Sequence, residues 1–166
     1  LHLGELMDVI KTYSTCVGEG PFVYELFDKR AKYFAGRATN RRGYRQTEKI
    51  GGFDVVASRY GARVQGATAI ALTKLDILSY FDKIPVCVAY ETDGKRVDTF
   101  PTGSALNNAK PVYEYFDGWK EDISDCRSFD ELPEAAKNYI DFIETQIGVQ
   151  IKYISVGAER DSIIIR

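Results

Sequence analysis

The sequence predicts an α/β domain with parallel strand pairing, and three observations carry that expectation. ATAIALT (67–73) and IPVCVAY (84–90) are short continuous apolar runs, the pattern of strands buried on both faces. A brief helical segment, Ile77–Phe81, separates them, and a strand, helix and strand in close succession favour a parallel unit. A long amphipathic helix followed by another apolar strand, VQIKYISVG, repeats the theme near the end.

Taken in order, Leu3, Leu6, Met7 and Ile10 recur at helical spacing and predict a helix over 3–11. Thr12 to Val17 is short and β-prone, and GEGP (18–21) breaks it. After Pro21, a residue suited to a helix start, Val23, Leu26, Phe27 and Phe34 predict a helix over about 22–34. Residues 35–52 hold four glycines, four arginines and one lysine, and read as a long basic loop. Phe53, Val56, Ala57, Tyr60 and Val64 then follow the spacing of a core-facing helix, which Gly66 ends. ETDGKRVDTF is expected to be a hairpin turning at Asp93-Gly94. Residues 101–131, rich in Pro, Asn and Asp, read as irregular structure with short pieces. Ser128 opens the approach to an amphipathic helix marked by Leu132, Ala135, Ala136, Tyr139, Ile140, Ile143 and Ile147, which Gly148 closes. DSIII supplies a last short strand.

Composition narrows the functional classes. A chain of 166 residues is one domain's worth, and a formal net charge of −2 offers no basic field for a nucleic acid polymer. Cys16, Cys87 and Cys126 are scattered and odd in number, which argues against a disulfide framework and against a zinc site. Buried, reduced thiols and an intracellular location are expected. No apolar run approaches the roughly 20 residues of a membrane span. The only histidine, His2, stands at the chain's start, where a chemical role is not expected. The chain opens without Met, inside an amphipathic pattern, and is expected to be a piece of a longer polypeptide.

In an α/β sheet, ligands bind beyond the carboxyl ends of the strands. Two such ends carry suggestive groups: Thr73-Lys74-Leu75-Asp76 after AIAL, and Ser155-Val156-Gly157-Ala158 after IKYI. Guanine presents N1–H and its N2 amine side by side, and one carboxylate can accept both. A neighbouring lysine stem can cover the ring, and a turn of small residues can offer N–H groups to O6. Asp76 is the candidate reader and Lys74 the cover. The alternative is plain: Asp76 caps the helix ILSYF and Lys74 is a surface lysine. The 35–52 loop has the same duality. It is either a solvated basic loop or an anion-binding one, in which Arg37, Arg41, Arg42 and Arg45 offer guanidinium forks and Thr39 and Asn40 neutral donors. Trp119 reads as a packing anchor. No GxxxxGK loop followed by Ser or Thr occurs, so nothing here cradles a triphosphate in that manner.

Beyond these features, the chain carries the blocks YSTCVGEGPF (13–22), ELFD (25–28), GFDVVASRYG (52–61), LTKLDIL (72–78), VCVAYE (86–91), KPVYE (110–114), GWKEDIS (118–124), LPEAAKNYIDFIE (132–144) and ISVGAERD (154–161). In order and spacing this series resembles the C-terminal part of adenylosuccinate synthetases. The resemblance covers nearly the whole chain. It implies a single domain, the C-terminal part of a mainly parallel-sheet, P-loop-NTPase-like fold with a peripheral hairpin and irregular segments. It also implies the activity: GTP and Mg²⁺ drive the joining of IMP and L-aspartate, GTP first phosphorylating the IMP 6-oxygen and aspartate displacing that phosphate. Family members are cytoplasmic homodimers. By resemblance, Lys74, Asp76, Ser155 and Gly157 bind guanine, and Val17 and Gly18 lie against the IMP ribose. The loop containing Thr39, Asn40, Arg41, Arg42 and Arg45 takes the place of the family's aspartate loop, although its order RATNRRGYRQTEKIGG departs from the usual run of threonines, arginines, glycine and tryptophan. Cys16 stands where arginine is common. The family's phosphate loop, general-base Asp and general-acid His are N-terminal and have no counterpart here. The chain alone is therefore expected to be catalytically inactive and to carry no metal ligand. A guanine-nucleotide-binding module without catalysis, or a scaffold domain, are the competing readings.

Overall fold

The computed structural model describes residues 4–16, 18–26 and 49–166. The first described elements are β1 (Met7–Lys11), β2 (Ser14–Cys16), β3 (Lys49–Gly51), β4 (Phe53–Asp54), α1 (Val55–Gln65) and β5 (Ala69–Thr73). A 3₁₀ turn (Leu75–Tyr80), β6 (Lys83–Thr92), β7 (Lys95–Val97), α2 (Ser104–Asn107) and β8 (Lys110–Asp117) follow. A second 3₁₀ turn (Phe129–Glu131), α3 (Glu134–Ile147), β9 (Ile151–Ser155) and β10 (Ile163–Ile165) complete them.

These strands form two four-stranded sheets and a two-stranded ribbon. The first sheet has the order β1-β5-β9-β10, with β1, β5 and β9 parallel and β10 antiparallel. The second centres on β6, which pairs parallel with β4 and antiparallel with β7 and β8. The ribbon joins β2 to β3. ATAIALT and IPVCVAY are both buried strands, as their composition predicts, but they lie in different sheets. The parallel partners of β5 are β1 and β9, so the short segment between β5 and β6 leads from one sheet to the other and is no crossover within a sheet.

The two longer helices form where the sequence predicts them, except that α1 begins at Val55, after Phe53 has paired with Val86 in β4. Asp54 caps α1, its Oδ1 accepting the Ala57 N–H at 2.9 Å, and Gly66 ends the helix at φ 70°. Val55, Val56 and Ala62 are buried, whereas Tyr60 and Val64, expected to face the core, are exposed. α3 follows a capping box between Ser128 and Glu131, ends at Gly148, and buries Tyr139, Ile140, Ile143 and Ile147. These side chains share one core with Ile70, Leu72, Ile151 and Ile154. Each buried aliphatic side chain contributes about 1.5–3 kcal/mol. The Asp93-Gly94 hairpin forms as expected, with Thr92 opposite Lys95 and both turn residues at positive φ.

Four other expectations change. Residues 7–11 are a strand and not a helix: the apolar spacing from Leu3 to Ile10 is helical, but pairing with β5 from Met7↔Ala69 to Lys11↔Thr73 satisfies the backbone and overrides it. Within the helix expected over 22–34, residues 22–26 are extended or turned, with Glu25 bridged to Gly51 and the Leu26 N–H donated to Ile50 O at 2.8 Å; the remainder lies outside the described residues. The basic loop ends earlier than position 52, because Lys49–Gly51 pairs with β2. Finally, 101–131 contains an eight-residue strand, β8, that runs along β6. Its Pro, Lys and Asp hid the alternation of Val112, Glu114 and Phe116 with Tyr113 and Tyr115. Cys87 is buried, while Cys16 and Cys126 are only partly so; all three are free. No described helix is long and apolar enough to cross a membrane.

Candidate functional site

Three parallel strands bring their carboxyl ends to one edge of the first sheet. Lys11 of β1 lies opposite Thr73 of β5, and Leu72 opposite Ile154 of β9. Thr12, Lys74 and Ser155 therefore emerge together, on strands spaced about 4.8 Å apart.

At the end of β5 the chain turns sharply. Lys74 adopts φ 65°, ψ 36°, a left-handed conformation that costs a non-glycine residue about 1–2 kcal/mol. Buried Thr12 braces the turn. Its N–H donates to Thr73 O at 3.0 Å and its hydroxyl to Lys74 O at 2.9 Å. Lys74 O also accepts the Ile77 N–H at 3.3 Å. Lys74 is the residue preceding the 3₁₀ turn, and Asp76 lies within its first turn. The reading of Asp76 as the cap residue of a following helix is thereby corrected.

Asp76 is half-buried, and its carboxyl is pushed up from the ordinary aspartate value. Burial is the main cause, and the charge of Asp122 adds to it; backbone N–H groups of Asp76 and Ile77 and the Lys74 ammonium hold it down. A partly desolvated carboxylate beside a lysine is suited to accepting two parallel donors from a planar ring.

The end of β9 forms the adjacent wall. The Ser155 hydroxyl donates to Gly157 O at 3.0 Å, and the Val156 N–H donates to Ser162 O at 3.0 Å. A Cβ at Gly157 would lie 2.9 Å from Ser162 Oγ, so a side chain there presses on a buried neighbour. Beneath the 3₁₀ turn, the Trp119 indole N–H donates to Ser79 Oγ at 2.9 Å. Gly118 makes this possible, since a Cβ would sit 1.6 Å from Phe81 O. Trp119 is a buried packing anchor, as expected.

The adenylosuccinate synthetase family model matches residues 1–164. The chain belongs to the adenylosuccinate synthetase family. It is 45% identical to the adenylosuccinate synthetase of Rhodococcus erythropolis over 97% of its length and 38% of that protein's. It is 44% identical to that of Mycobacterium tuberculosis H37Rv, covering 99% of this chain and 39% of the relative. A structure of fully ligated adenylosuccinate synthetase from Plasmodium falciparum superimposes with a TM-score of 0.92 at 35% identity, covering 99% of this chain and 40% of that one. The chain thus spans about two-fifths of the length of these relatives.

Set against the adenylosuccinate synthetase resemblance, Lys74, Asp76, Ser155 and Gly157 do come to one sheet edge. Gly18, at φ 127° in a conformation suited to glycine, lies in a separate segment beyond β2. Val17, Thr39, Asn40, Arg41, Arg42 and Arg45 lie outside the described residues, as does His2. Among the described residues, no cluster of three or more His, Cys, Asp or Glu side chains is placed to hold a metal ion. A cavity of about 490 Å³ lined by Arg59, Arg96, Glu114 and Gln146 lies by the end of α3, where β9 begins, and away from the strand ends. Its Arg59 guanidinium is already committed to Gln146 O at 2.5 Å and Gln146 Oε1 at 2.8 Å.

Sequence reasoning missed Thr12 and Tyr139, whose hydroxyl donates to Thr12 O at 2.9 Å. It also missed Asp122, and Asp54 as a helix cap. Only Asp54 carried a usable signal, an aspartate directly before the periodic run VVAS.

Proposed function

We propose that this chain is a single domain, the C-terminal portion of a GTP-dependent ligase that joins IMP and L-aspartate to form adenylosuccinate. The observation that carries the proposal is the braced left-handed turn at Lys74, which sets half-buried Asp76 beside the Ser155–Gly157 turn. Asp76 accepts the N1–H and N2 donors of guanine, Lys74 covers the ring, and the 155–157 backbone meets O6. Val17 and Gly18 contact IMP, and the segment with Thr39, Asn40, Arg41, Arg42 and Arg45 receives aspartate through charge-assisted hydrogen bonds.

The chain supplies recognition, not the chemical step. Among the described residues there is no cluster of three or more His, Cys, Asp or Glu side chains placed to hold a metal ion; the Mg²⁺ that would accompany GTP would neutralise phosphate charge, held by the phosphates and by carboxylates of the whole protein. The catalytic acid and base also come from that remainder. The whole protein works as a cytoplasmic homodimer.

Calorimetric titration of the purified chain tests the reading. GDP is expected to bind more tightly than ADP, and a mixture of chain, GTP, IMP and aspartate to yield no adenylosuccinate. Equal affinity for the two nucleotides overturns guanine recognition. Product formation overturns the assignment of catalysis to the absent portion.

A further inference from the structure

Lys74 occupies a backbone conformation that lysine disfavours, and something must hold it there. Its own strand does not: β5 has ended at Thr73. The holding group comes from the neighbouring strand. Thr12 is 1% exposed, and it contributes both a backbone N–H to Thr73 O and a hydroxyl to Lys74 O. The two bonds fix successive carbonyls on either side of the peptide that bends. Behind Thr12 stands Tyr139, fully buried in α3, whose hydroxyl donates to Thr12 O. The result is a buried relay from Tyr139 through Thr12 to the Lys74 carbonyl. Each polar group in it is paired, as buried groups must be.

We propose that Thr12, backed by Tyr139, is a positioning residue for base recognition: it locks the Lys74 turn so that Asp76 and Lys74 are preorganised for a guanine ring. The proposal rests on the guanine reading given above. Thr12 does not touch the base. It acts through the Lys74 carbonyl, and removing its hydroxyl leaves that carbonyl with only the longer contact from the Ile77 N–H. The turn is then free to relax toward right-handed conformations, which rotates Asp76 away from the ring plane. Preorganisation lost in this way appears directly as weaker binding.

The test compares Thr12→Val, Thr12→Ser and Tyr139→Phe in the same chain. Thr12→Val keeps the side-chain volume and removes the hydroxyl. GDP affinity is expected to fall about tenfold, the scale of one lost buried hydrogen bond, with the preference over ADP shrinking in step. Thr12→Ser restores both, and Tyr139→Phe gives a smaller loss of the same kind. Ile84→Val, in the other sheet, is the control for general destabilisation and should leave GDP affinity unchanged. Unaltered GDP selectivity in Thr12→Val overturns the proposal, as does an equal loss in Ile84→Val. If the unsubstituted chain prefers neither nucleotide, it is the guanine reading that fails. The positioning claim then stands or falls on amide exchange: faster exchange at Ile77 in Thr12→Val alone supports it, and unchanged exchange there refutes it.

Discussion

Two aspartates in this chain sit at the start of helical turns after a strand, and they have opposite characters. Asp54 is 1% exposed and saturated: Oδ1 takes the Ala57 N–H, and Oδ2 takes the Tyr90 hydroxyl. Asp76 is half-buried, engages only local backbone N–H groups, and faces a lysine and a second carboxylate. Burial is the main force raising both carboxyls, Asp54 to about 6. At Asp54 every local preference agrees: an extended cap residue, a helix, and an acceptor for an orphan donor. Two residues before Asp76, the cap position is held by Lys74, which is strained and makes no side-chain cap bond. Agreement among levels marks structure, and a maintained conflict marks a site.

The largest expected effect is at Asp54. Asp54→Ala strands a helix N–H and a buried tyrosine hydroxyl, and should cost about 3 kcal/mol in urea unfolding. Its titration gives a second handle. The folded-state value of about 6 lies above the ordinary 3.8, so the folded chain binds this proton more tightly than the unfolded one. The contribution of neutral Asp54 is full below about pH 4 and is lost as pH rises through about 6, a span worth about 3 kcal/mol. Asp54→Asn keeps an acceptor for Ala57 and cannot ionise. It should flatten this part of the stability profile while changing the stability above pH 7 far less than Asp54→Ala. A profile as steep in the Asn variant as in the parent would show that Asp54 is not the titrating group.

Asp76→Asn should invert the pattern, with little effect on stability and a large one on binding. Hydrogen bonds to a charged acceptor contribute about 1.5–3 kcal/mol, so GDP affinity should fall about 10- to 100-fold, while the unfolding midpoint barely moves. In the proposed guanine site the carboxylate is the binding form, and burial raises its pKa. GDP affinity should therefore decline on acidification at a higher pH than an ordinary aspartate would dictate, and the Asn variant should lose that dependence. A variant that unfolds as easily as Asp54→Ala would erase the distinction between the two residues.

Much of this contrast was legible in the sequence, and the rest was hidden for specific reasons. TKLD and SVGA could be read because each follows an apolar run short enough to be a buried strand, and ligands gather beyond such ends. Their adjacency could not be read, because pairing of β5 with β9 rather than with β6 depends on which strand meets which across more than 75 intervening residues. β1 was misread because the apolar residues at 3, 6, 7 and 10 have helical spacing and fall on both faces of a strand, so no period-2 alternation marked the segment that pairs with β5. Thr12 had no distinguishing context: a threonine at a strand end has many uses, and its partner carbonyl lies 62 residues away. Tyr139 was correctly placed on the buried face of α3, but periodicity reports the ring and says nothing of the hydroxyl.

The smallest effect is the sharpest test of the contrast, because it should stabilise the chain while damaging the site. Glycine tolerates the left-handed conformation that Lys74 adopts, so Lys74→Gly removes backbone strain. The gain is partly offset by the greater freedom of glycine in the unfolded chain, which leaves about 0.5–1 kcal/mol of net stabilisation. Thr12 and Ile77 still bond the carbonyl at 74, so the turn keeps its shape. What disappears is the ammonium beside Asp76 and the stem proposed to cover the ring. GDP affinity should drop by a few-fold, with the melting temperature slightly raised, and the Asp76 carboxyl should titrate higher without the lysine charge that holds it down. A variant that is more stable and binds GDP as before would mean that lysine is tolerated at this turn without being used by it. A variant that is less stable would mean that the side chain, and not the site, is what the strained backbone serves.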